Sequence, residues 1–246
     1  MSDPEQVKVS VVVSTYGRLS YFQNLVGSVR SAFPPGTYEI VAVSSDPTDS
    51  PKCAWMAQQP DVVAIMADVR APGTGRKRSL YAYENIGIKA SSGKWVVVTN
   101  DDTTFEPDFY ATLLEVEADY DVILVKGHVG EIGLGMRIPV IGTVTPPSGE
   151  VRPLHLYDFT IIRRTAYEAI GYLDENLDWF GKGADLALKC ETHPGMRILR
   201  DSNLKIHHSI AEEGRQRPGY HRDFQYATDK WNNWCAANGW STHWPW

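Results

Sequence analysis

The sequence predicts an α/β fold with a mostly parallel central sheet and helices on both of its faces. Short apolar, β-branched segments alternate with longer segments in which apolar residues recur every three or four positions, as in amphipathic helices. The chain has 246 residues, 43% of them hydrophobic and 22% charged, which suits one large globular domain. We therefore predict a single domain over residues 1–246.

The first half of the chain shows this alternation most clearly. Residues 7–14, 39–44 and 61–67 are predicted strands, and apolar positions between residues 19 and 33 form one helical face. A second helix is predicted over residues 80–90, with Ser79 as its N-terminal cap. The strand that begins at Lys94 follows it.

The second half has a weaker pattern. A helix should begin near Pro107, and strands are predicted at residues 121–126, 196–200 and 204–208. Thr165 and Glu168 have the spacing of a capping box for a short helix. Residues 127–153 show no clear period. Residues 210–246 are predicted to be an irregular aromatic tail, whose tryptophans are expected to pack against the domain.

Composition limits the function classes. A net charge of −6 and a pI near 5.6 give no general footprint for binding DNA or lipid. Three widely spaced cysteines fit neither a disulfide framework nor a metal site. No basic and apolar leader is evident, and no apolar run approaches the roughly 20 residues that span a bilayer. We expect a soluble, cytoplasmic protein without an integral membrane segment.

The strand that begins at Lys94 ends directly in Asn100, Asp101 and Asp102. Parallel sheets bind ligands at the carboxyl ends of their strands, and carboxylate oxygens suit hard divalent cations that also contact phosphate. The segment is therefore a candidate metal and phosphate site. A helix-capping turn is the competing interpretation, because Asp and Asn favour such turns.

Four segments in order resemble the inverting nucleotide-sugar glycosyltransferases of family 2, which have the Rossmann-like, three-layer GT-A fold. They are STYG at residues 14–17, ENIGIKASSGKWVVVTNDDT at 84–103, RRTAYEAIGYLDENLDWFGKGADLALK at 163–189, and LKIHHS at 204–209. Their joint occurrence is much more specific than any one motif. The resemblance implies transfer of a sugar from a nucleoside-diphosphate sugar, with UDP-sugars the expected donors, to an acceptor hydroxyl with inversion.

The resemblance also implies residue roles. Mn2+ or Mg2+ would be held by Asp102, with Asn100 nearby, and by a histidine of the late strand, for which we favour His207 over His208 by register. A strand histidine can equally be an ordinary surface or core residue. The implied donor-binding residues are Ser14, Thr15, Tyr16, Arg18, Ser45, Asp46, Arg78, Asn85, Asn100 and Asp101. Arg78 belongs to a basic loop that could instead be a solvated charge run.

The sequence departs from the family pattern in two places. Serines stand at positions 44 and 45, where acids usually contact the nucleoside, so the identity of the base is open. Lys182 and Gly183 replace the usual acidic pair before the later helix, so the expected catalytic base is missing. The remaining candidates are Asp185 first and Asp178 second, with Asp158 a further nearby carboxylate.

Other function classes remain open at this point. A sugar-phosphate nucleotidyltransferase could use a similar sheet, although STYGRLS is a poor version of its expected loop. A non-catalytic module that binds sugar nucleotides or glycans would fit the loss of the acid at Gly183. The acceptor could be a glycan, a lipid-linked sugar, a protein or a modified nucleic-acid base.

Overall fold

The computed structural model describes residues 8–45, 50–68, 78–129, 138, 140–178, 181–209 and 220–243. Its strands are β1 (Val9–Thr15), β2 (Tyr38–Ser44), β3 (Val62–Met66), β4 (Trp95–Asn100), β5 (Thr103–Phe105), β6 (Val122–Leu124), β7 (Lys126–Val129), β8 (Val140–Thr145), β9 (Arg152–His155), β10 (Thr160–Arg163), β11 (Ile198–Leu199), β12 (Lys205–His208) and β13 (Ser241–His243). Its helices are α1 (Leu19–Ala32), α2 (Ser50–Ala57), α3 (Leu80–Ala90), α4 (Phe109–Val116), α5 (Arg164–Ala169), α6 (Lys182–Thr192) and α7 (Tyr220–Asn238).

The central sheet has seven strands in the order β11-β6-β10-β4-β1-β2-β3. Its paired neighbours run parallel, except that β10 is antiparallel to both β4 and β6. Two small sheets, β5-β12-β7 and β13-β8-β9, lie outside it. The predicted α/β architecture with a mostly parallel sheet is confirmed.

Alternating side chains on the central strands supply two hydrophobic layers. Val11 and Val13 of β1 pack with Phe22 of α1, whereas Val12 packs in a separate cluster with Ile88 of α3. A strand that is apolar at successive positions must be covered on both faces, because neighbouring side chains point in opposite directions. The sequence of β1 therefore requires the three-layer arrangement.

Helix α3 has the predicted bounds and the predicted cap. The Ser79 side chain accepts a hydrogen bond from the backbone N–H of Ala82, which satisfies one of the free N–H groups of the first turn. An added Cβ at Gly87 would overlap the side chain of Val12. The glycine therefore lets α3 lie close to β1.

Several elements differ from the sequence-based expectation. Helix α2 was not predicted, and the region 127–153 contains β8 and β9. The capping box was misplaced, because the N-terminal cap of α5 is Arg163 rather than Thr165. The tail is not irregular, since it contains α7 and β13. Among the described residues, none of the helices has the length and apolar character needed to cross a membrane.

Candidate active site

The carboxyl ends of β1 and β4 bring together two of the sequence motifs. Ser14 pairs with Asn100 across these strands, and the Thr15 hydroxyl donates a hydrogen bond of 3.0 Å to Asp101 Oδ2. Thr15 and Asp101 are both buried. The first loop and the acidic run therefore form one site, as expected from the parallel register.

Arg18 lies between the two acidic side chains of this site. Its Nη1 donates to Asp102 Oδ2 at 3.0 Å, and its Nη2 pairs with Asp101. Desolvation raises the pKa of Asp101, and the nearby Arg18 charge opposes that rise. The pKa of Asp102 is lowered: desolvation acts against the shift, but His208 and Arg18 together outweigh it. Asp102 is therefore held as a carboxylate.

The pairing of β12 with β5 places His208, not His207, beside Asp102. His208 pairs with Thr103, and the Ser209 backbone N–H donates to the Asp102 carbonyl oxygen at 2.9 Å, so the register is fixed on both sides. His208 Nε2 lies 3.0 Å from Asp102 Oδ1 and 3.2 Å from Asn100 Nδ2.

His207 points to the other face of the strand, where it pairs with Glu106. This placement favours His208 over the predicted His207 as a ligand beside Asp102, since a one-residue change of register exchanges the two faces of a strand.

The two oxygens of the Asp102 carboxylate have different surroundings. Its Oδ1 atom is buried and accepts no hydrogen bond of good geometry from the described residues, although His208 Nε2 is close. Within the described ranges, no group of three or more His, Cys, Asp or Glu side chains is arranged to hold a metal. A carboxylate and an imidazole still fit a divalent cation that takes its remaining oxygens from phosphates, because Mg2+ in particular binds few protein groups.

The other predicted donor-binding residues lie at different distances from this cluster. Tyr16 follows β1 and is 67% exposed. Ser45 lies beside the end of β1, because its backbone N–H donates to the Thr15 carbonyl oxygen at 3.2 Å. Arg78 donates to the Asp68 carbonyl at 3.0 Å. Asp46 lies outside the described residues, as does the rest of the basic loop, residues 70–77.

Asn85 has a structural position rather than a place in this cluster. It is buried, its amide donates to the carbonyl oxygen of Leu173 at 2.9 Å, and its side-chain oxygen accepts from the Leu173 backbone N–H at 3.0 Å. All of these contacts tie α3 to the segment after α5. The structure does not bring Asn85 together with Asp101 and Asp102 through any of these contacts, and its donor contact stays a prediction.

Asp185, the first candidate for the catalytic base, anchors the C-terminal helix. It is buried, and its Oδ1 accepts from Trp231 Nε1 at 2.9 Å and from Lys230. Its other oxygen lies 3.2 Å from Lys189 Nζ. These contacts occupy both carboxylate oxygens with Trp231, Lys230 and Lys189, and the role of Asp185 as the base stays a prediction.

Asp178, the second candidate, also contacts the C-terminal helix. Its carboxylate pairs with Arg222, and its backbone N–H donates to Asp223 Oδ2 at 3.1 Å. Asp223 is buried in the first turn of α7. Both candidate carboxylates therefore contact α7, and the role of Asp178 as a base stays a prediction.

Sequence reasoning missed two features beside the site. Lys52 of α2 is fully buried, with its Nζ 3.5 Å from the Thr15 carbonyl oxygen, and no motif marked it. Lys182 pairs with fully buried Glu84 at 3.2 Å. The unusual lysine at position 182 could have drawn attention to Glu84 as its partner, since a buried carboxylate requires a counter-charge.

The comparisons with known proteins agree with this geometry. The family model described as glycosyl transferase family 2 matches residues 10–141, which is more than half of the chain. The chain belongs to glycosyl transferase family 2. No curated protein matches the sequence.

Solved structures with the GT-A fold resemble the chain over most of its length. Residues 1–349 of TarS from S. aureus, in complex with UDP-GlcNAc, share 17% identity with a TM-score of 0.64, covering 92% of this chain and 67% of that one. GalNAc-T7 with UDP, GalNAc and Mn2+ shares 17% identity with a TM-score of 0.65, covering 92% and 48%.

The mannosyltransferase PcManGT from Pyrobaculum calidifontis, with GDP-Man and Mn2+, shares 16% identity with a TM-score of 0.60, covering 86% and 59%. This chain thus spans about half to two thirds of these longer structures. The likeness confirms the GT-A fold.

Proposed function

We propose that this protein is a metal-dependent glycosyltransferase that moves a sugar from a nucleoside-diphosphate sugar to an acceptor hydroxyl. The observation that carries the proposal is the buried, unsatisfied Oδ1 atom of Asp102 beside His208 Nε2. A buried carboxylate oxygen without a donor costs free energy, so such an atom points to a missing ligand. Family membership supplies the reaction class.

The donor would lie across the carboxyl ends of β1 and β4. Thr15 and Arg18 orient Asp101 there, and Tyr16 presents an exposed ring on which a nucleoside base can stack. Arg18 can also turn one N–H group towards a diphosphate, because guanidinium groups bind phosphate oxygens well. UDP-sugars are the expected donors, and GDP-sugars are the main alternative to test.

Asp102 and His208 would hold Mn2+ or Mg2+, with Asn100 beside them. When bound, the cation supplies a Lewis acid that stabilises negative charge on the leaving nucleoside diphosphate. Arg18 pairs with Oδ2 of Asp102, which leaves Oδ1 to bind this cation. His208 is held in place by the pairing of β12 with β5.

The proposed stereochemical outcome is inversion, because a single displacement at the anomeric carbon needs only one base and one leaving group. The acceptor approaches from the side opposite the diphosphate. Glycans, lipid-linked sugars, proteins and modified nucleic-acid bases are the acceptor classes to screen.

Thermal unfolding with a panel of nucleoside-diphosphate sugars tests the donor half of this proposal. We expect at least one sugar nucleotide to raise the Tm in the presence of Mn2+ and to do so much less with EDTA, because ligands that bind only the folded state stabilise it. Asp102→Asn should remove the metal-dependent part of the rise.

Asp119→Asn is the matched control for this experiment. Asp119 is exposed and precedes β6, at the opposite edge of the central sheet. It should respond to donor and Mn2+ as the wild type does. An Asp102→Asn variant with the full metal-dependent rise would contradict the proposal.

A second candidate function is a module that binds sugar nucleotides without turnover. Lys182 and Gly183 favour it, because the acid that usually precedes α6 in this family is missing there. Binding of a donor with no release of nucleoside diphosphate, across all acceptor classes, would support it. Turnover with any acceptor would rule it out.

A further inference from the structure

The space beside Gly183 is already filled by a carboxylate. An added Cβ at Gly183 would overlap Asp158 Oδ1 and the end of the Leu156 side chain. The Tyr157 backbone N–H also donates to the Gly183 carbonyl oxygen at 3.3 Å, which fixes this segment against the first turn of α6. Asp158 therefore places an acidic oxygen where a side chain at position 183 would begin.

The antiparallel direction of β10 brings Asp158 to the donor edge of the sheet. Ile161 pairs with Val97 and Ile162 with Val96, so the same register continued backwards places Asp158 level with Asn100. The ring of Phe159 packs edge-on against the ring of His208, with centroids 5.4 Å apart. The segment before β10 thus adjoins the proposed cation site.

Among the described residues, the Asp158 carboxylate also lacks the close ion pairs that hold the carboxylates of Asp185 and Asp178. Asp158 is exposed and accepts no hydrogen bond from the described residues. The surrounding protein raises its pKa by desolvation, against the charges of Lys182 and His208. A carboxylate that lacks hydrogen-bond donors and is surrounded by protein atoms can accept a proton from a bound hydroxyl.

We propose that Asp158 is the catalytic base of this protein, supplied by the loop before β10 in place of the missing acid at the start of α6. The inference rests on the proposed glycosyltransferase function. It also explains the glycine at position 183, because any larger residue would displace the Asp158 carboxylate.

The reaction step balances as a single displacement. Asp158 takes the proton of the acceptor hydroxyl as the acceptor oxygen forms a bond to the anomeric carbon. The bond between that carbon and the diphosphate oxygen breaks, and its electron pair leaves with the nucleoside diphosphate. The Lys182 ammonium group pairs with Glu84 at 3.2 Å and has no role in this step.

The test uses the full chain, Mn2+ and the sugar nucleotide that gives the largest thermal shift. With water or a simple alcohol as acceptor, Asp158→Asn should lower the release of nucleoside diphosphate about 100-fold or more, the range typical of a lost general base. The donor-induced thermal shift should stay unchanged. Sodium azide needs no deprotonation, so it should restore release in Asp158→Asn and yield a glycosyl azide.

Two further variants separate catalysis from folding. Gly183→Ala should lower turnover with a modest loss of stability, because the added Cβ overlaps the side-chain ends of Asp158 and Leu156 and lies close to the Asp158 backbone nitrogen. Asp158→Ala with Gly183→Asp should recover part of the lost rate, since it returns a carboxylate to the same space.

The possible outcomes separate the two proposals. Full turnover in Asp158→Asn would overturn the assignment, as would lost turnover that neither azide nor Gly183→Asp restores while the donor still binds. If no donor shifts the Tm of the wild type, the proposed function itself fails. Azide rescue with intact donor binding supports Asp158 as the base.

Discussion

The donor side and the acceptor side of this site are built by different means. The donor side consists of strand ends, where Ser14, Asn100 and Asp102 are placed by the parallel register of β1 and β4 and by the residues that directly follow β4. The acceptor side consists of loops and helix ends that distant residues hold, above all those of α7. A short motif therefore predicts where the first kind of residue lies, whereas the position of the second kind depends on contacts with distant residues.

The largest expected effect on stability comes from truncating the buried tryptophan through which α7 packs against the domain. Trp231 is 4% exposed and donates to Asp185, so Trp231→Ala should lower the free energy of unfolding by about 3–5 kcal/mol through lost packing. Trp231→Phe keeps most of the ring and loses the N–H group, so its loss should be smaller. Urea unfolding monitored by circular dichroism measures both. Equal losses in the two variants would show that packing contributes little.

The second prediction concerns how the free energy of unfolding depends on pH, through a carboxylate on the same side of the molecule. Asp174 is desolvated, but hydrogen bonds from Lys230 and Asn176 lower its pKa to about 2. Because the folded pKa lies below the unfolded value, this stabilisation is present above about pH 4 and is lost as the pH falls towards 2. It amounts to about 2 kcal/mol.

Asp174→Asn should be less stable than the wild type at pH 7 and should lose less stability on acidification. Urea titrations at pH 7 and pH 3 give the comparison, with Asp119→Asn as the control that keeps the wild-type difference. Identical pH dependence in Asp174→Asn and wild type would refute this account.

The smallest expected effect lies on the donor side. Thr15→Val keeps the shape of the side chain and removes the hydroxyl that donates to Asp101 at 3.0 Å, which should cost about 1–2 kcal/mol. Thr15→Ser keeps the donor and should cost less. Both can be measured by thermal unfolding. If Thr15→Val were as stable as Thr15→Ser, the contact would have no measurable role in holding Asp101.

The predicted parts of the fold share a local signal. Helix α3 and strands β1, β2 and β4 were found because their apolar periodicity is strong and their ends carry caps or turn residues. Helix α7 was missed because its buried stripe, spaced four residues apart, begins with Asp223 and includes Ala227, Trp231 and Cys235. Because this stripe contains a carboxylate and an alanine, its apolar periodicity is too weak to predict a helix.

Two features of the proposed site lie beyond the reach of local sequence. The choice between His207 and His208 depends on one residue of register, which is decided by the pairing of β12 with β5 rather than by the strand itself. Asp158 has no flanking motif, and its position follows only from the reversed direction of β10. Long-range pairing, not local sequence, sets both.

The position of α7 late in the chain also orders the events of synthesis. Strands β1 to β4 and the acidic run of the proposed donor side are complete in the growing chain well before residues 220–243 emerge. Asp178 and Asp185 gain their partners on α7 only when Arg222, Lys230 and Trp231 have been made. Translation proceeds at about 5–20 residues per second. The proposed donor edge can therefore begin to form first, and the proposed acceptor side becomes complete only after α7 has been made.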